Sequence, residues 1–263
     1  MKAFKTVELF AWYARIRLQS NMSYRADFIV GMIISLCVAA VGPLFQFLLF
    51  TTTKGYPGWT LHEVMLFQGI VLLFSGLRDI LFGNVFSEVN IMVWRGEFDR
   101  MLILPHRPIK LMLCSGFNAG GIGVLLSGIV LLCYSASVLG VVVTPLRVLL
   151  VLLGVTCGLV LYCSFLVWYC VLMVMVTRNS RMEEIIISLF NFANYPAQIF
   201  PGPIGTILST VLPFLVIAYF PAQVLLGRAD SAVVPGMFVC VLLLAISLFV
   251  WERMLKRYTS VGG

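Results

Sequence analysis

The sequence predicts an all-α integral membrane protein with six transmembrane helices. Of its 263 residues, 61% are hydrophobic and only 11% are charged. Several apolar runs are long enough to cross a hydrocarbon core of about 30 Å, which requires about 20 helical residues. A soluble core can bury one or two such runs, but not six. A charge-rich segment, residues 88–110, carries seven charged side chains between two of the runs, and a simple membrane anchor has no need of it.

The first element is predicted to lie on the membrane surface. Charges interrupt residues 4–22, so this stretch does not predict a span. Val7, Phe10 and Ala14 can share one face of a helix, with Glu8 off that face. This pattern is typical of an amphipathic helix at the membrane interface.

The apolar runs place the spans in order along the chain, with a kink expected at Pro43 in the first. Trp59, in the turn before the second span, is predicted as an interfacial aromatic residue. The spans are predicted at about 27–51, 61–83, 111–140, 146–176, from about 185 onward, and 233–252.

Residues 195–228 do not fit a simple span. Their apolar pieces are too short to cross a bilayer because prolines interrupt them at positions 196, 201, 203, 213 and 221. Broken helices are tolerated at membrane depth where protein or water shields the backbone. We therefore predict a re-entrant helical hairpin, at about 201–228, that faces outward between spans five and six.

The distribution of Lys and Arg predicts that both termini are cytoplasmic. With the N-terminus inside, fourteen basic residues fall in cytoplasmic loops and three in outer loops, the three being Lys54, Arg147 and Arg228. This asymmetry follows the positive-inside rule. It also accounts for the net charge of +7 without nucleic acid, for which no basic stripe with interleaved aromatic residues is present.

Two Gly-x-x-x-Gly spacings, Gly116 to Gly120 and Gly154 to Gly158, allow helices to approach closely. The spacing fits packing within the subunit and dimerisation equally well. The seven cysteines lie mostly inside apolar runs and are predicted to be buried thiols. The two histidines lack the spacing of a metal site.

Sequence signals of an enzyme are weak. The chain has no Gly-x-Ser-x-Gly, no His-Glu-x-x-His and no carboxylate pair suited to acid–base catalysis, so no catalytic, cofactor-binding or metal-binding residue is predicted. It also lacks the phosphate-binding Gly-x-x-x-x-Gly-Lys-Ser/Thr loop. Energy for work must therefore come from an ion gradient or from a partner.

Ionisable residues inside spans would indicate a gradient-driven carrier. The candidates are Arg78 and Asp79 in span two, together with Asp27. Arg78 and Asp79 are adjacent, so they point about 100° apart on a helix and need not pair. A structural role is the expectation for both residues, and coupling to an ion gradient is the alternative.

Residues 88–104 have the features of a docking helix for a cytoplasmic partner. Trp94 and Phe98 are bulky, charges of both signs surround them, and Gly96 allows a break or tight turn. An ordinary solvated loop is the other interpretation. The predicted contact positions are Trp94, Arg95, Gly96, Glu97, Phe98, Asp99 and Arg100.

The chain resembles the permease subunits of ABC-2 type exporters, in particular a bacterial branch of six-span half-transporters. Short motifs carry the resemblance in order along nearly the whole chain. They are Tyr24-Arg25-Ala26-Asp27-Phe28, Gly58-Trp59-Thr60, Arg95-Gly96-Glu97-Phe98-Asp99, Leu102 to Pro108, Pro201, Leu212-Pro213-Phe214 and Tyr219-Phe220-Pro221-Ala222.

The resemblance implies a single ABC-2 type transmembrane domain over residues 1–263, in the bacterial cytoplasmic membrane. It also implies that residues 88–104 form a coupling helix and that a separate nucleotide-binding subunit binds ATP and Mg²⁺. A second permease is expected, as a heterodimer or a homodimer, with membrane lipid around the pair. The substrate would pass between the two permeases, and Asn191, Asn194 and Tyr195 are the candidate lining residues.

Three other classes compete with an ATP-driven exporter. A gradient-driven carrier predicts that changes at Asp79 or Asp27 abolish transport and that no ATPase co-purifies. A lipid-modifying enzyme predicts a cluster of catalytic polar groups at one interface. A structural scaffold predicts that the double change Glu97→Lys and Asp99→Lys leaves activity intact. The sequence does not name the substrate, and the export direction rests on the resemblance.

Overall fold

A computed structural model describes residues 2–23, 25–53, 55–176, 181–200, 202–228 and 234–258, with no side-chain description at 2–5, 21, 23, 25 and 27. Within these ranges the chain is helical, with turns and no strand. The predicted all-α class is confirmed. Tyr24, Lys54, Pro201 and the side chains of Arg25 and Asp27, all named in the sequence analysis, lie outside the described part.

The helices follow the order of the predicted elements. In the first half they are α1 (Lys2–Ser23), α2 (Arg25–Thr52), α3 (Leu61–Phe82), α4 (Val85–Trp94), α5 (Phe98–Leu102), α6 (Pro108–Cys114) and α7 (Gly121–Val138). In the second half they are α8 (Pro145–Met175), α9 (Met182–Phe190), α10 (Pro203–Thr206), α11 (Tyr219–Leu225) and α12 (Val234–Leu255).

Five of the described helical segments are long and apolar enough to cross a membrane. They contain α2, α3, α7, α8 and α12, which match predicted spans one, two, three, four and six. α2 remains one helix through Pro43. Most of its surface is exposed, so lipid or another protein must cover it.

Predicted span three is broken near its start. The sequence predicted one helix over 111–140, but α6 ends at Cys114 and α7 begins at Gly121. Between them, the Asn84 side-chain amide donates to the Phe117 carbonyl oxygen at 2.7 Å, and the Gly120 N–H donates to the Asn118 side-chain oxygen at 2.9 Å. Side chains that bond backbone groups in this way compete with helical hydrogen bonds.

Predicted span five is not a continuous helix in the structure. α9 has nine residues and reaches about 14 Å at 1.5 Å per residue. The chain continues through 3₁₀ turns at Asn191–Asn194 and Ala197–Ile199. Pro196 contributes to this break, since proline has no N–H to donate. A sixth span exists only if the pair Pro203–Val211 and Phe214–Leu225, bent by 70°, counts as one broken crossing rather than a re-entrant loop.

Helices α3 and α7 pack with their backbones in near contact, through glycines that alternate between them. A Cβ atom on Gly76 would lie 2.4 Å from the backbone nitrogen of Leu125, and one on Gly128 would lie 2.6 Å from that of Leu73. Backbone atoms cannot yield to a side chain, so only glycine permits this approach. The glycines occur at a spacing of seven residues on each helix: Gly69 and Gly76 on α3, Gly121 and Gly128 on α7.

The Gly-x-x-x-Gly pairs pack within the subunit. A Cβ on Gly154 would lie 2.6 Å from the Pro221 ring, and one on Gly158 would lie 2.9 Å from Ile217. Both glycines thus seat the segment 214–225 against α8. Gly116 likewise approaches the α3–α4 junction. The structure favours internal packing over dimerisation as the use of these glycines.

An aromatic cluster joins α3, α8, α9 and the segment after Pro213. Phe190 lies at its centre, with its ring centroid 4.9 Å from that of Tyr162 and 5.0 Å from that of Phe214. Phe74 and Phe165 complete the cluster. Cys114, Cys170 and Cys240 are buried as predicted, whereas Cys37 and Cys133 are exposed because they face away from the packed side of their helices.

Candidate functional site

A groove of about 440 Å³ lies between α2, α3 and the segment after α9. Mostly apolar side chains of α2 form one wall, and the other wall combines apolar side chains of α3 with polar side chains from α3 and from residues 191–195. The groove brings together all three predicted path residues, Asn191, Asn194 and Tyr195. That the substrate follows this groove stays a prediction.

The groove also holds Arg78 and Asp79, which the sequence offered as candidates for coupling to an ion gradient. The Asp79 carboxylate accepts from Arg78 Nε at 2.9 Å and lies 2.8 Å from Arg78 Nη2. The two side chains were expected to point apart and need not have paired, but the long arginine side chain bends back to its neighbour. Arg78 also lies over the Tyr162 ring, with Cζ 5.6 Å from the ring centroid, so carboxylate and ring together orient the guanidinium.

Sequence reasoning missed three polar residues of this groove, Gln46, Gln68 and Ser75. Gln46 accepts a hydrogen bond from the Tyr56 hydroxyl at 2.7 Å, and Gln68 donates to the Asn194 carbonyl oxygen at 3.3 Å. A primary amide inside an apolar run costs free energy unless it is hydrogen-bonded. Two glutamines within predicted spans therefore indicated, from the sequence alone, polar residues that need hydrogen-bond partners in the folded chain.

The predicted coupling segment folds as two short helices with a turn between them. α4 ends at Trp94 and α5 begins at Phe98, so residues 88–104 are not one helix. Gly96 has φ +68°, a left-handed conformation that glycine adopts at little cost. The tight turn predicted at Gly96 is present.

The contact positions predicted in this segment divide into exposed and buried side chains. Trp94 is 85% exposed, and Arg95, Gly96, Glu97 and Arg100 are exposed with it. Arg95 and Glu97 approach within 4.0 Å of each other at the turn. Ile103, 83% exposed, adds a second large apolar residue.

Phe98 is buried instead, and Asp99 is half-buried. Phe98 is buried, with its ring centroid 5.0 Å from that of Tyr258 and 6.2 Å from that of Trp251 in α12. Asp99 accepts a hydrogen bond from the Tyr258 hydroxyl, and burial, with this bond as the second cause, raises the Tyr258 pKa above its ordinary value. Phe98 would therefore contribute to partner binding by holding the segment in place and not by direct contact.

Polar contacts fix the charged segment to the rest of the chain. Arg17 of α1 pairs with Glu88 of α4. Lys110 donates to the Thr6 hydroxyl at 2.9 Å, which is a second contact with α1. Arg107 and Glu252 form an exposed pair at 3.1 Å, which ties the loop before α6 to α12. The segment thus connects α1 with the end of α12.

The opposite end of the molecule has its own polar contacts, around the start of α3. Trp59 is buried within the chain, and its indole N–H donates to Gln198 at 3.0 Å; its position at the membrane interface stays a prediction. Gln198 in turn donates to the Tyr219 hydroxyl at 3.1 Å. The buried carboxylate of Glu63 accepts from Arg228 at 2.7 Å. Trp59 is buried because Gln198 and Tyr219, which lie far along the chain, pack against it.

Neither region has the arrangement of a metal or catalytic centre. Over the part of the chain that the structure describes, no group of three or more His, Cys, Asp and Glu side chains could hold a metal ion. The groove offers a paired charge and neutral polar groups, and the exposed segment offers a mixed charged and aromatic surface. These suit binding and mechanical contact.

Comparison with known families gives the identity. The model of the ABC-2 family transporter protein matches residues 36–262, a range that contains the groove, the charged segment, the second part of α2 and the other four long helices. No curated protein and no solved structure matches the chain. The family match covers most of the sequence and agrees with the helical membrane architecture, and the chain therefore belongs to the ABC-2 transporter family, as a multi-pass membrane component of a transporter.

Proposed function

We propose that this chain is the permease subunit of an ATP-driven exporter of the ABC-2 type. A separate nucleotide-binding subunit binds ATP and Mg²⁺, and the chain itself hydrolyses nothing. Two permeases, different or identical, sit side by side in a bacterial cytoplasmic membrane with both termini in the cytoplasm. Membership of the family is the observation that carries the proposal.

The nucleotide-binding subunit contacts the permease through the turn between α4 and α5. The exposure of Trp94, Arg95, Glu97 and Arg100 supports this assignment, because large aromatic residues and arginine are enriched where proteins bind each other. The buried Phe98 holds the turn against α12. Closure of the ATPases on ATP then displaces the turn, and α4, α1 and α12 move with it through the contacts described above.

The substrate passes along the groove between α2 and α3. Asn191, Asn194 and Tyr195 line it, with Arg78 and Asp79 beside them. The exposed wall of α2 leaves the groove open for a second permease to complete. A gradient-driven carrier is not supported: the family is one of ABC transporters, and Arg78 satisfies the Asp79 carboxylate.

Purification in a gentle detergent tests the proposal. The tagged chain is isolated from its native membrane, with and without prior crosslinking, and the co-eluting proteins are identified. We expect a stoichiometric ATPase, and a second permease if the complex is a heterodimer. A chain that elutes without an ATPase even after crosslinking in the membrane would exclude the exporter.

Two matched tryptophan variants test the docking surface. Trp94→Ala removes the most exposed aromatic residue of the turn, whereas Trp12→Ala removes an exposed tryptophan, 60% accessible, from α1. We expect Trp94→Ala to reduce the co-eluting ATPase by about tenfold or more, as losing a binding hot spot does, and Trp12→Ala to leave it unchanged. Equal ATPase recovery with both variants would show that the turn is not the docking site.

A further inference from the structure

The groove contains one ion pair whose charges are satisfied before any ligand enters. Arg78 and Asp79 contact each other at 2.8 Å and 2.9 Å, and the Tyr162 ring covers the guanidinium. About a quarter of each charged side chain remains accessible, 26% for Arg78 and 29% for Asp79. The pair therefore presents a dipole to the groove rather than a net charge.

The other accessible polar groups of the same wall are neutral. Ser75, Asn191, Asn194 and Tyr195 supply a hydroxyl, two primary amides and a phenol. The Asn194 amide donates to the Asn191 side-chain oxygen at 3.3 Å. Each primary amide has two N–H donors and an acceptor oxygen, so this bond leaves capacity for a ligand. Among the described residues that line the groove, Arg78 and Asp79 are the charged ones.

The facing wall is mostly apolar, because its polar residue Gln46 is buried and hydrogen-bonded to Tyr56. Val38, Val41 and Phe45 of α2 line the groove and are 65%, 61% and 52% exposed. A ligand between the walls meets hydrocarbon on one side and hydrogen-bonding groups on the other. That geometry fits an amphipathic molecule with its tail along α2 and its polar group at α3.

A head group with a net positive or net negative charge should bind weakly at this site. Such an ion would lose hydration on entering at membrane depth, and the attraction of one member of the pair would be offset by repulsion from the other. Breaking the pair to bind the ion would leave an uncompensated charge, which is strongly unfavourable. A zwitterion can align with the dipole, and an uncharged polar group can use the amides and hydroxyls.

We propose that the groove binds amphipathic molecules whose polar group carries no net charge and discriminates against amphipathic molecules whose polar group carries a net charge of either sign. This inference rests on the proposed function, because it makes the groove the substrate path. It narrows the substrate class to neutral or zwitterionic amphiphiles.

Four probes with one common dodecyl tail test the charge preference. They are dodecyl maltoside (neutral), dodecylphosphocholine (zwitterionic), dodecyltrimethylammonium (cationic) and dodecyl phosphate (anionic), each titrated calorimetrically below its micellar concentration. The full chain is purified and held in amphipol, without added detergent. We expect the affinity of the neutral and zwitterionic probes to be at least about tenfold higher than that of either ion. This difference is the scale of one charge-assisted contact. Equal or tighter binding of the ions would overturn the inference.

Single changes in the pair should shift the preference in opposite directions. Asp79→Asn leaves Arg78 unpaired and should favour dodecyl phosphate, whereas Arg78→Gln leaves Asp79 unpaired and should favour dodecyltrimethylammonium. Glu252→Gln and Arg107→Gln make the same changes in net charge at the exposed pair outside the groove, and should leave the affinity for all four probes unchanged. If the variants fold, as judged by thermal melting, but their relative affinities for the two charged probes do not change, the probes bind outside the groove.

The double variant Arg78→Gln with Asp79→Asn covers the case in which an unpaired charge prevents folding. It should keep affinity for the maltoside and lose about tenfold in affinity for dodecylphosphocholine, because the dipole is gone. Unchanged phosphocholine binding would overturn the inference. These titrations use the permease alone, so they are independent of the co-purification experiment. If the four probes bind equally well but an ATPase co-elutes with the chain, only the substrate class is refuted. If the probes are discriminated by charge but no ATPase co-elutes, the exporter is refuted instead.

Discussion

Phe98 lies in the most charged part of the sequence and yet belongs to the protein interior. Its ring meets those of Trp251 and Tyr258 nearly edge-on. Trp94, four residues earlier, is instead exposed. The turn at Gly96 separates these two side chains, so residues that look equivalent as contact positions have different roles.

Replacement of Phe98 by alanine should destabilise the protein far more than the same change at Trp94. Phe98→Ala leaves a cavity beside α12, and such changes cost about 3–5 kcal/mol. Trp94→Ala removes little packing and should alter the melting temperature only slightly. Thermal melting in detergent of both variants measures the difference. Equal melting temperatures would mean that Phe98 is not a packing residue.

Glu183, in the first turn of α9, should give the stability a defined pH dependence. Burial, and then the neighbouring Glu184, raise the Glu183 pKa above its ordinary value of 4.5. The folded chain therefore holds this proton more tightly than the unfolded chain. The contribution of Glu183 to stability is then greatest below pH 4.5 and falls as the pH rises through the raised pKa.

Glu183→Gln should remove this dependence and raise the melting temperature near pH 7. Glu184→Gln should have a smaller effect in the same direction, because it removes only the repulsion between the two carboxylates. Melting curves of the three proteins between pH 4.5 and pH 8 make the comparison. A Glu183→Gln variant that melts lower at pH 7, or keeps the same pH dependence, would contradict the assignment.

At the scale of elements, the closest helix contact is that of α3 with α7. Glycines recurring every seven residues on both helices bring the backbones together. A seven-residue repeat returns to nearly the same face of a helix, so each helix presents a line of glycines to its partner. This contact fixes the α3 wall of the groove, including the residues near Arg78.

Gly76→Ala should weaken this contact. Its methyl group would overlap backbone atoms of Leu125, so the helices must separate, and overpacking of this kind typically costs about 1–3 kcal/mol. Gly31→Ala in α2 is the matched control. No heavy atom lies within 4 Å of a Cβ there, and alanine is the better helix former by up to about 1 kcal/mol. Equal stability of the two variants would argue against close α3–α7 packing.

At the scale of the whole molecule, the distribution of basic residues orients the chain. The exposed loop at His106 should face the cytoplasm, and the exposed loop at Val143 should face outward. The polar contacts of Glu63 and Trp59 then lie on the outer side, and the turn at Gly96 lies on the cytoplasmic side.

Cysteine labelling tests this orientation. In intact cells, a membrane-impermeant maleimide should label Val143→Cys but not His106→Cys, and opening the membrane should expose both. The parent chain with its native cysteines sets the background. Labelling of His106→Cys in intact cells would invert the topology and remove the proposed ATPase contact from the cytoplasm.

The sequence by itself determined the membrane class, the ends of four spans to within a few residues, the turn at Gly96 and the family. These follow from local properties: hydropathy along one helix, proline and glycine at particular positions, and motifs in a fixed order. Asn191, Asn194 and Tyr195 could be named for the same reason, as polar residues in an apolar region.

Tertiary structure alone decided which residues these elements contact. The break in span three depends on Asn84, more than thirty residues from the carbonyl that it bonds. The burial of Phe98 depends on α12, and that of Trp59 depends on Gln198 and Tyr219. The groove exists because α3 and the segment after α9 bring Arg78 and Asp79 to one wall together with four neutral polar residues, Ser75, Asn191, Asn194 and Tyr195. Contacts between residues far apart in the chain leave no periodic signal in either segment, so only the folded arrangement reveals them.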